Sequence, residues 1–429
     1  MGLQNALYNG VSGLKANTTG LEVTGNNIAN LNTVGFKASR ANFMEVLSQN
    51  VPSADGTSQI GRGVELSSIS RIFTQGAFET TGIVTDLAIA GKGFFIIRSG
   101  DDKLFTRAGQ FHVDNEGYLV DPSGAYLQGY RTSDDGTITS ALSDIKIDTN
   151  PINPSATTSA FISANLDSNS EVISAAWDPD NPVNTSNFST AISVYDSLGN
   201  EHTLNIYFRK ESDNTWHWYA LVDGGEVVGG TAGTNVQVGD GRITFTNDGA
   251  LDTETVLNQI TVSFKNGAEP NQTIDLDFGD SITTDSGTGL TGTTQYKLTS
   301  AVNFQSQDGY AAGHLLDLDI DTKGVLYGIY SNGQKVAMYK IPLADFKNYD
   351  GLKQVGNSHF RATQASGSPI ISEAGVGAIG TINARTLENS NVDLSSELVK
   401  LIVYQRGFQA NSRTVRSTNE VMQDLMNIV

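Results

Sequence analysis

Residues 7–31 read LYNGVSGLKANTTGLEVTGNNIANL. Leu7, Leu14, Leu21 and Ile28 recur at steps of seven, and an interleaved series holds Leu3, Gly10, Asn17, Thr24 and Leu31. Alternating steps of three and four draw one stripe along a helix, and a stripe kept over several heptads predicts a coiled-coil seam. The far end of the chain repeats the pattern. Leu394, Leu401, Phe408, Val415, Met422 and Val429 step by seven, with Leu398, Gln405, Ser412, Asn419 and Met426 between them. Two seams of matching character at opposite ends predict that the ends pack together.

The first of these helices is weak by itself. Gly10, Gly13, Gly20 and Gly25 each cost about 1 kcal/mol relative to Ala in a helix interior. Asn17, Asn26 and Asn27 compete for backbone hydrogen bonds. Such a helix orders where neighbours bury its stripe, and its small residues allow those neighbours close. An ordinary helical hairpin closing a globular domain also satisfies the pattern. Charge favours assembly of many copies instead. The chain carries 27 Lys+Arg against 46 Asp+Glu, a net charge of −19, yet residues 1–47 and 394–429 are near neutral. Near-neutral ends can crowd together while an acidic remainder keeps a large assembly soluble.

The same acidity argues against nucleic acid and anionic lipid as partners, since both are held by Lys and Arg. The 429 residues contain no cysteine, which removes disulfides, thiolate metal sites and cysteine nucleophiles together. A chain exported through a narrow channel gains from that, because no crosslink can form. No stretch is apolar enough over the 18 or so residues of a membrane span. The start, Met1 to Ala6, has no basic stretch ahead of an apolar core, and Ala6 does not suit myristoylation, so no cleaved signal or lipid anchor is expected.

Between the ends, 45 glycines and abundant Thr, Ser, Asn and Asp predict short strands joined by tight turns. Turns are expected at Asn115-Glu116-Gly117, at Pro122-Ser123-Gly124 and at Ser197-Leu198-Gly199. Asp114, Gly117, Tyr118 and Leu119 correspond to Asp321, Gly324, Val325 and Leu326, with Gly124 and Gly333 following. One hairpin unit on both sides of an insertion implies a discontinuous β-domain. The fold class expected is mixed and mainly β, with nested discontinuous β-domains and coiled-coil-like helices at both termini. The expected division is 1–47 with 391–429 as a helical layer, 71–147 with 301–363 as the split β-domain, and 148–300 as the inserted one. Stretches 48–70 and 364–390 are left as polar connectors.

Candidate chemistry is weak throughout. Asp317, Asp319 and Asp321 alternate like calcium-loop ligands, but Gly324 comes too late and Gly328 stands where the bidentate Glu belongs. Leu316, Leu318 and Ile320 between them describe a strand with its carboxylates in water. Gly91-Lys92-Gly93 runs into Phe94-Phe95-Ile96-Ile97 and begins a strand, not a dinucleotide site. His112, His202, His217, His314 and His359 are too dispersed for a metal site. Trp216 and Trp218 share one strand face, which suits a core better than a sugar platform. The sparse basic residues of the last helix suit a solvated face or pairs between copies. No catalytic, metal or cofactor-binding residue is assigned, and no enzyme activity is expected.

Three stretches carry a family resemblance. Asn26-Asn27-Ile28-Ala29-Asn30-Leu31-Asn32-Thr33-Val34-Gly35-Phe36-Lys37 resembles the N-terminal signature of the bacterial flagellar axial proteins, the rod and hook family. In it Asn30 and Asn32 end the helix and Gly35 supplies the turn. Tyr404-Gln405-Arg406-Gly407-Phe408-Gln409-Ala410-Asn411-Ser412-Arg413 is similar to the family's C-terminal hallmark. Thr81-Gly82, followed by Asp86 to Phe95, is similar to a third. Within the family the length and the inserted domain resemble the hook members. Val194 to Asn200 and Ile274 to Gly279 are also hook-like.

The resemblance implies a homopolymer: a hollow, curved tube lined by the terminal helices, flexible in bending and able to carry torque from rod to filament. Its implied partners are other copies, the rod at the base, hook–filament junction proteins at the tip, a hook cap during assembly and the flagellar export apparatus. Its implied place is the extracellular flagellum. The assembly residues would be Leu7, Leu14, Leu21, Asn26, Asn27, Ile28 and Asn30 at one end, and Leu394, Leu398, Leu401, Phe408, Asn411, Val415 and Met422 at the other. Gly35, Gly117, Gly199 and Gly324 would serve turns or hinges. A distal rod subunit and a carbohydrate-binding or adhesive β-rich surface protein are the rival readings.

Overall fold

The computed structural model describes residues 2–47, 49–53, 56–133 and 137–428. The chain divides into a terminal unit and an inserted unit, the latter comprising Asn150–Leu316 and Tyr330–Gln334. It is mainly β, with one long helix at each end, Gly2–Ala29 and Leu394–Ile428.

Both helices belong to the terminal unit and run antiparallel against each other. Polar residues inside the first are absorbed by the helix itself: Asn17 donates to Gly13 O, Thr18 to Leu14 O and Thr19 to Lys15 O. Asn30 Nδ2 closes its end by donating to Asn26 O at 2.8 Å. Asp393 begins the second, its carboxylate accepting from Ser396 N at 2.7 Å.

The strands of the terminal unit come from both sides of the insertion. The hydrogen-bonded order includes Lys335–Lys340, Tyr126–Thr132, Phe94–Ser99, Asp102–Thr106, His359–Arg361 and Lys353–Gly356. Phe94, Ile96, Phe105, Phe346 and Phe360 fill the core beneath them, with ring centroids 4.8 Å to 5.9 Å apart. The two corresponding turns are built alike. Asp114 Oδ1 accepts from Glu116 N and Tyr118 N, and Asp321 Oδ1 accepts from Lys323 N and Val325 N. Gly117 and Gly324 take φ of 88° and 78°, and their carbonyls accept from Ile147 N and Ile341 N. A residue with a Cβ would be strained at either position.

In the inserted unit a five-stranded antiparallel meander runs from Phe188–Tyr195 through Glu201–Ser212, Thr215–Asp223 and Asn235–Phe245 to Leu251–Asn258. A four-stranded sheet orders Ile260–Val262, Gln272–Asp277, Ser159–Asn165 and Ala301–Gln307. One buried cluster draws on both sheets, including Ile162, Val194, Phe208, Trp216, Trp218, Phe264 and Phe278. Alternation on Thr215–Asp223 turns both tryptophans into this core.

Three sequence expectations need correction. Residues 301–316 fall in the inserted unit, because Ala301–Gln307 pairs with Ser159–Asn165 instead of with the split β-domain. Of the supposed connectors, Val64–Arg71 pairs with Ser39–Glu45, and Ile370–Glu373, Thr381–Ala384 and Thr386–Glu388 each pair with a strand of the terminal unit. Backbone ladders need no apolar pattern, so polar sequence concealed these strands. Along Leu315–Ile320 only Ile320 is buried and Leu316 is exposed, while Asp321 caps a turn and Asp319 pairs with Lys335. Residues 48 and 54–55 of the stretch 48–70, and Val429 of the C-terminal stripe, lie outside the described residues.

Candidate assembly site

The two helices meet along the small residues, not along the leucines. On the first helix Gly10, Gly13, Gly20, Thr24 and Asn27 are buried, whereas Leu7, Leu14, Leu21 and Ile28 are half-buried. A Cβ at Gly10 would stand 2.7 Å from Val415 Cγ2, at Gly13 2.6 Å from Asn411 Nδ2, and at Gly20 2.7 Å from the Tyr404 ring. Gly407 gives Asn17 the same close approach from the other side. The seam is therefore the 10/13/17/20/24/27 stripe, which also alternates steps of three and four. It lets the two backbones come nearer than a leucine seam would. Within it Asn27 Nδ2 donates to Glu397 Oε2 at 3.2 Å, and Lys400 donates to Glu397 Oε1 at 2.7 Å.

With the seam made of small residues, apolar surface is left outside. Leu394, Leu398, Val399, Ile402, Val403 and Phe408 are all exposed, Val399 and Val403 by 61% and 59%. Tyr8 and Val11 of the first helix are exposed too. Single exposed apolar residues are ordinary, but this many on one helix form a patch that marks an interaction surface. Beyond Phe408 exposed polar and basic residues, Arg413 and Arg416 among them, alternate with exposed Val421 and Met426.

Below the seam a joint ties the helices to the β-structure of the terminal unit. Asn27 locks the exit of the first helix, donating to Ser39 O at 2.8 Å and accepting from Ser39 N at 2.9 Å. Phe36, Ala38 and Val392 bury one another, with Leu31 against them. Gly35, at φ 66°, brings its backbone against Ala108, where a Cβ would collide. Gly35 N donates to Glu388 O at 2.7 Å. Asn391 accepts from Ala38 N at 2.7 Å and donates to Ile72 O and to the Thr74 hydroxyl. At the centre, the fully buried Glu388 carboxylate takes Lys37 Nζ at 2.6 Å, Gly76 N at 2.8 Å and Arg107 Nη1 at 3.4 Å. Burial pushes the Lys37 ammonium down from its ordinary range, and Glu388 pulls it back up.

Of the assembly residues expected from sequence, the structure brings Asn27, Asn411 and Val415 into the seam and leaves Leu401 and Met422 half-buried beside it. It leaves Asn26, Leu394, Leu398 and Phe408 exposed, and Asn30 is spent on ending its helix. Gly35, Gly117, Gly199 and Gly324 all take positive φ. Sequence reading expected the small residues to admit neighbours closely but put the seam on the leucines, and it missed the Tyr404 and Gly407 contacts and the whole Lys37–Glu388–Arg107 group. The glycines carried a signal in their own spacing; Glu388 carried none, standing 351 residues from Lys37.

Four family descriptions match successive stretches of the chain. They are Flagella basal body rod protein over residues 7–37, Flagellar hook protein FlgE/F/G D1 domain over 88–165, Flagellar basal body protein FlaE D2 domain over 165–310, and Flagellar basal body rod FlgEFG protein C-terminal over 384–428. The flagellar hook protein FlgE of Borreliella burgdorferi is 34% identical over 455 residues, covering 99% of this chain and 100% of its own. That of Escherichia coli is 34% identical over 429 residues, with the same coverage. The crystal structure of the Helicobacter pylori flagellar hook protein FlgE2 shares the fold, with a TM-score of 0.51 and 17% identity over 72% of this chain and 100% of that one. Paired terminal helices with apolar residues turned outward, on a chain with these matches, define a structural component of the flagellar basal body and hook. Relatives aligned end to end narrow the class: the chain belongs to the flagellar hook protein family.

Proposed function

We propose that this chain is a hook subunit whose copies polymerise through their terminal helices into a curved, hollow tube that carries torque from rod to filament and bends as it turns. The exposed apolar patch Leu398, Val399, Ile402 and Val403 carries this reading. A helix that has paired along its small residues still presents a stripe that water disfavours, and in a polymer of this chain neighbouring copies cover it. Such contacts are heterologous, so they extend without closing on themselves. The role is structural and not catalytic. The partners are other copies, the rod below, junction proteins and a cap above, and the export apparatus that delivers the chain to an extracellular position.

Removal of 394–429 tests the reading. The expected outcome is loss of polymerisation with both β-units still folded, read by sedimentation and by circular dichroism in the β region. A truncated chain that still forms hooks, or one whose β signal collapses, would contradict it. Among flagellar bases from cells lacking the gene, complete rods without hooks are expected; a missing rod would move the protein to the rod.

A further inference from the structure

The joint holds more charge than stability requires. Two cations and one carboxylate are withdrawn from water: Lys37 side chain 1% exposed, Arg107 5% and Glu388 0%. Arg107 Nε has no hydrogen-bond partner among the described residues. Burying charge is costly, and apolar residues of similar volume commonly stabilise as well or better. What the group does supply is direction. Glu388 is bonded to three other chain segments: the exit of the first helix through Lys37, the run before Phe78–Thr80 through Gly76, and the loop after Asp102–Thr106 through Arg107. Its own strand is the last before the second helix. Lys37 reaches further to Thr74 O at 2.8 Å, and Arg107 to Gly91 O at 2.7 Å. Irregular backbone joins Ala29 to Ser39 and Glu388 to Leu394, and two such connections side by side would make a hinge.

We propose that Glu388, with Lys37 and Arg107, is a torsional pin that removes this hinge, so that the terminal helix pair turns as one body with the β-structure of the terminal unit. The inference rests on the hook reading only for its purpose, the passing of torque from helix to β-domain; the pin itself is a property of the single chain. A pin of hydrogen-bonded charges fixes angle, whereas an apolar plug of equal volume would fill the joint without fixing it.

The chain has no cysteine, so two spin labels can be placed at will, at exposed Lys103→Cys and Gln409→Cys. Pulsed dipolar distance measurement on the full-length soluble chain should give one narrow distribution. In Glu388→Gln it should widen at least twofold, with helical circular dichroism kept. Should that variant fail to fold, the combined Lys37→Met, Arg107→Met, Glu388→Leu chain decides. It fills the joint without charge and is expected to fold and to widen the distribution equally. A width unchanged in either folded variant would overturn the proposal, as would a broad distribution in the unsubstituted chain. Whether unlabelled wild-type chain builds hooks is scored separately, so failure of the pin and failure of the hook reading are told apart.

Discussion

In the inserted unit Trp216 and Phe208 are wholly buried in a cluster fed by two sheets, and Trp216 Nε1 finds Gln295 Oε1 at 2.8 Å. In the terminal helices the buried positions are glycine, threonine, asparagine and Glu397, while Leu398, Val399, Ile402 and Val403 face out and Leu7, Leu14 and Leu21 are only half-buried. The inserted unit gathers Trp216, Trp218 and most of its aliphatic strand residues into one core within the chain, and the helix pair has no such core. A self-sufficient core and an unfinished one can be told apart by what each buries, because scattered exposed apolar residues are ordinary whereas a contiguous apolar stripe on one helix marks a contact surface. The difference assigns the parts: the inserted unit folds for itself, the helices for the polymer.

The largest effects belong to the finished core. Trp216→Ala should cost about 3–5 kcal/mol in the inserted unit, seen as an early transition in chemical denaturation, with the helical signal unmoved. A loss of helix in that variant would break the separation of the two regions.

Next come the glycines of the first helix, one outside the seam and one within it. Gly25 meets nothing within 4 Å, so Gly25→Ala should stabilise the first helix by about 1 kcal/mol. Gly20→Ala has the same helical gain but drives a methyl onto Tyr404, and overpacking of about 1–3 kcal/mol should reverse the sign. Thermal melts followed at the helical band decide the pair. Two equal gains would mean that the helices do not touch along the small stripe.

Acid and base should separate the units as well. In the inserted unit burial first, and then Asp277 and Asp285, push the Glu254 carboxyl up to about 8, from an ordinary 4.5. The folded unit then holds a proton that the unfolded chain has released. The contribution of this group is therefore fully favourable below pH 4.5 and is lost as pH rises through 8, by less than about 1.4 kcal/mol per pH unit. Glu254→Gln should flatten that slope. In the terminal unit Asp121 behaves oppositely. Burial would raise its carboxyl, but hydrogen bonds from His359, Ala125 N and Ser123 outweigh it and hold the group at about 2. Its stabilisation is present above pH 3.8 and is lost as pH falls through 2. Denaturation curves at stepped pH, reported by tryptophan for the inserted unit, check both signs.

The comparison also marks what sequence could reveal. The paired turns at Asp114–Gly117 and Asp321–Gly324 were legible because an Asp that caps a turn and a Gly at positive φ are local requirements. The terminal helices were legible from their heptads, but not the face they share. A periodic rule that weights apolar residues points to Leu7, Leu14 and Leu21, whereas close approach selects Gly10, Gly13 and Gly20 on a neighbouring stripe. The joint was hidden for another reason: Lys37, Arg107 and Glu388 are adjacent only in the folded chain. Polar loops of the inserted unit were equally opaque. Lys265 Nζ pins the glycine-rich turn by donating to Gly224 O, Gly225 O and Gly230 O, an arrangement with no sequence signature.

The smallest expected effect on stability carries the most information on function. Ile402→Glu changes an exposed residue, so the melting of the soluble chain should stay within about 0.5 kcal/mol of wild type while hook formation is lost.

The central claim is that copies of this chain cover the outward face of the second helix. Val399→Cys and Val403→Cys place single thiols on that face in a chain that otherwise has none. Maleimide labelling should be rapid in the soluble chain and at least tenfold slower in assembled hooks. Equal rates in the two states would mean that the patch remains in water and that assembly uses another surface.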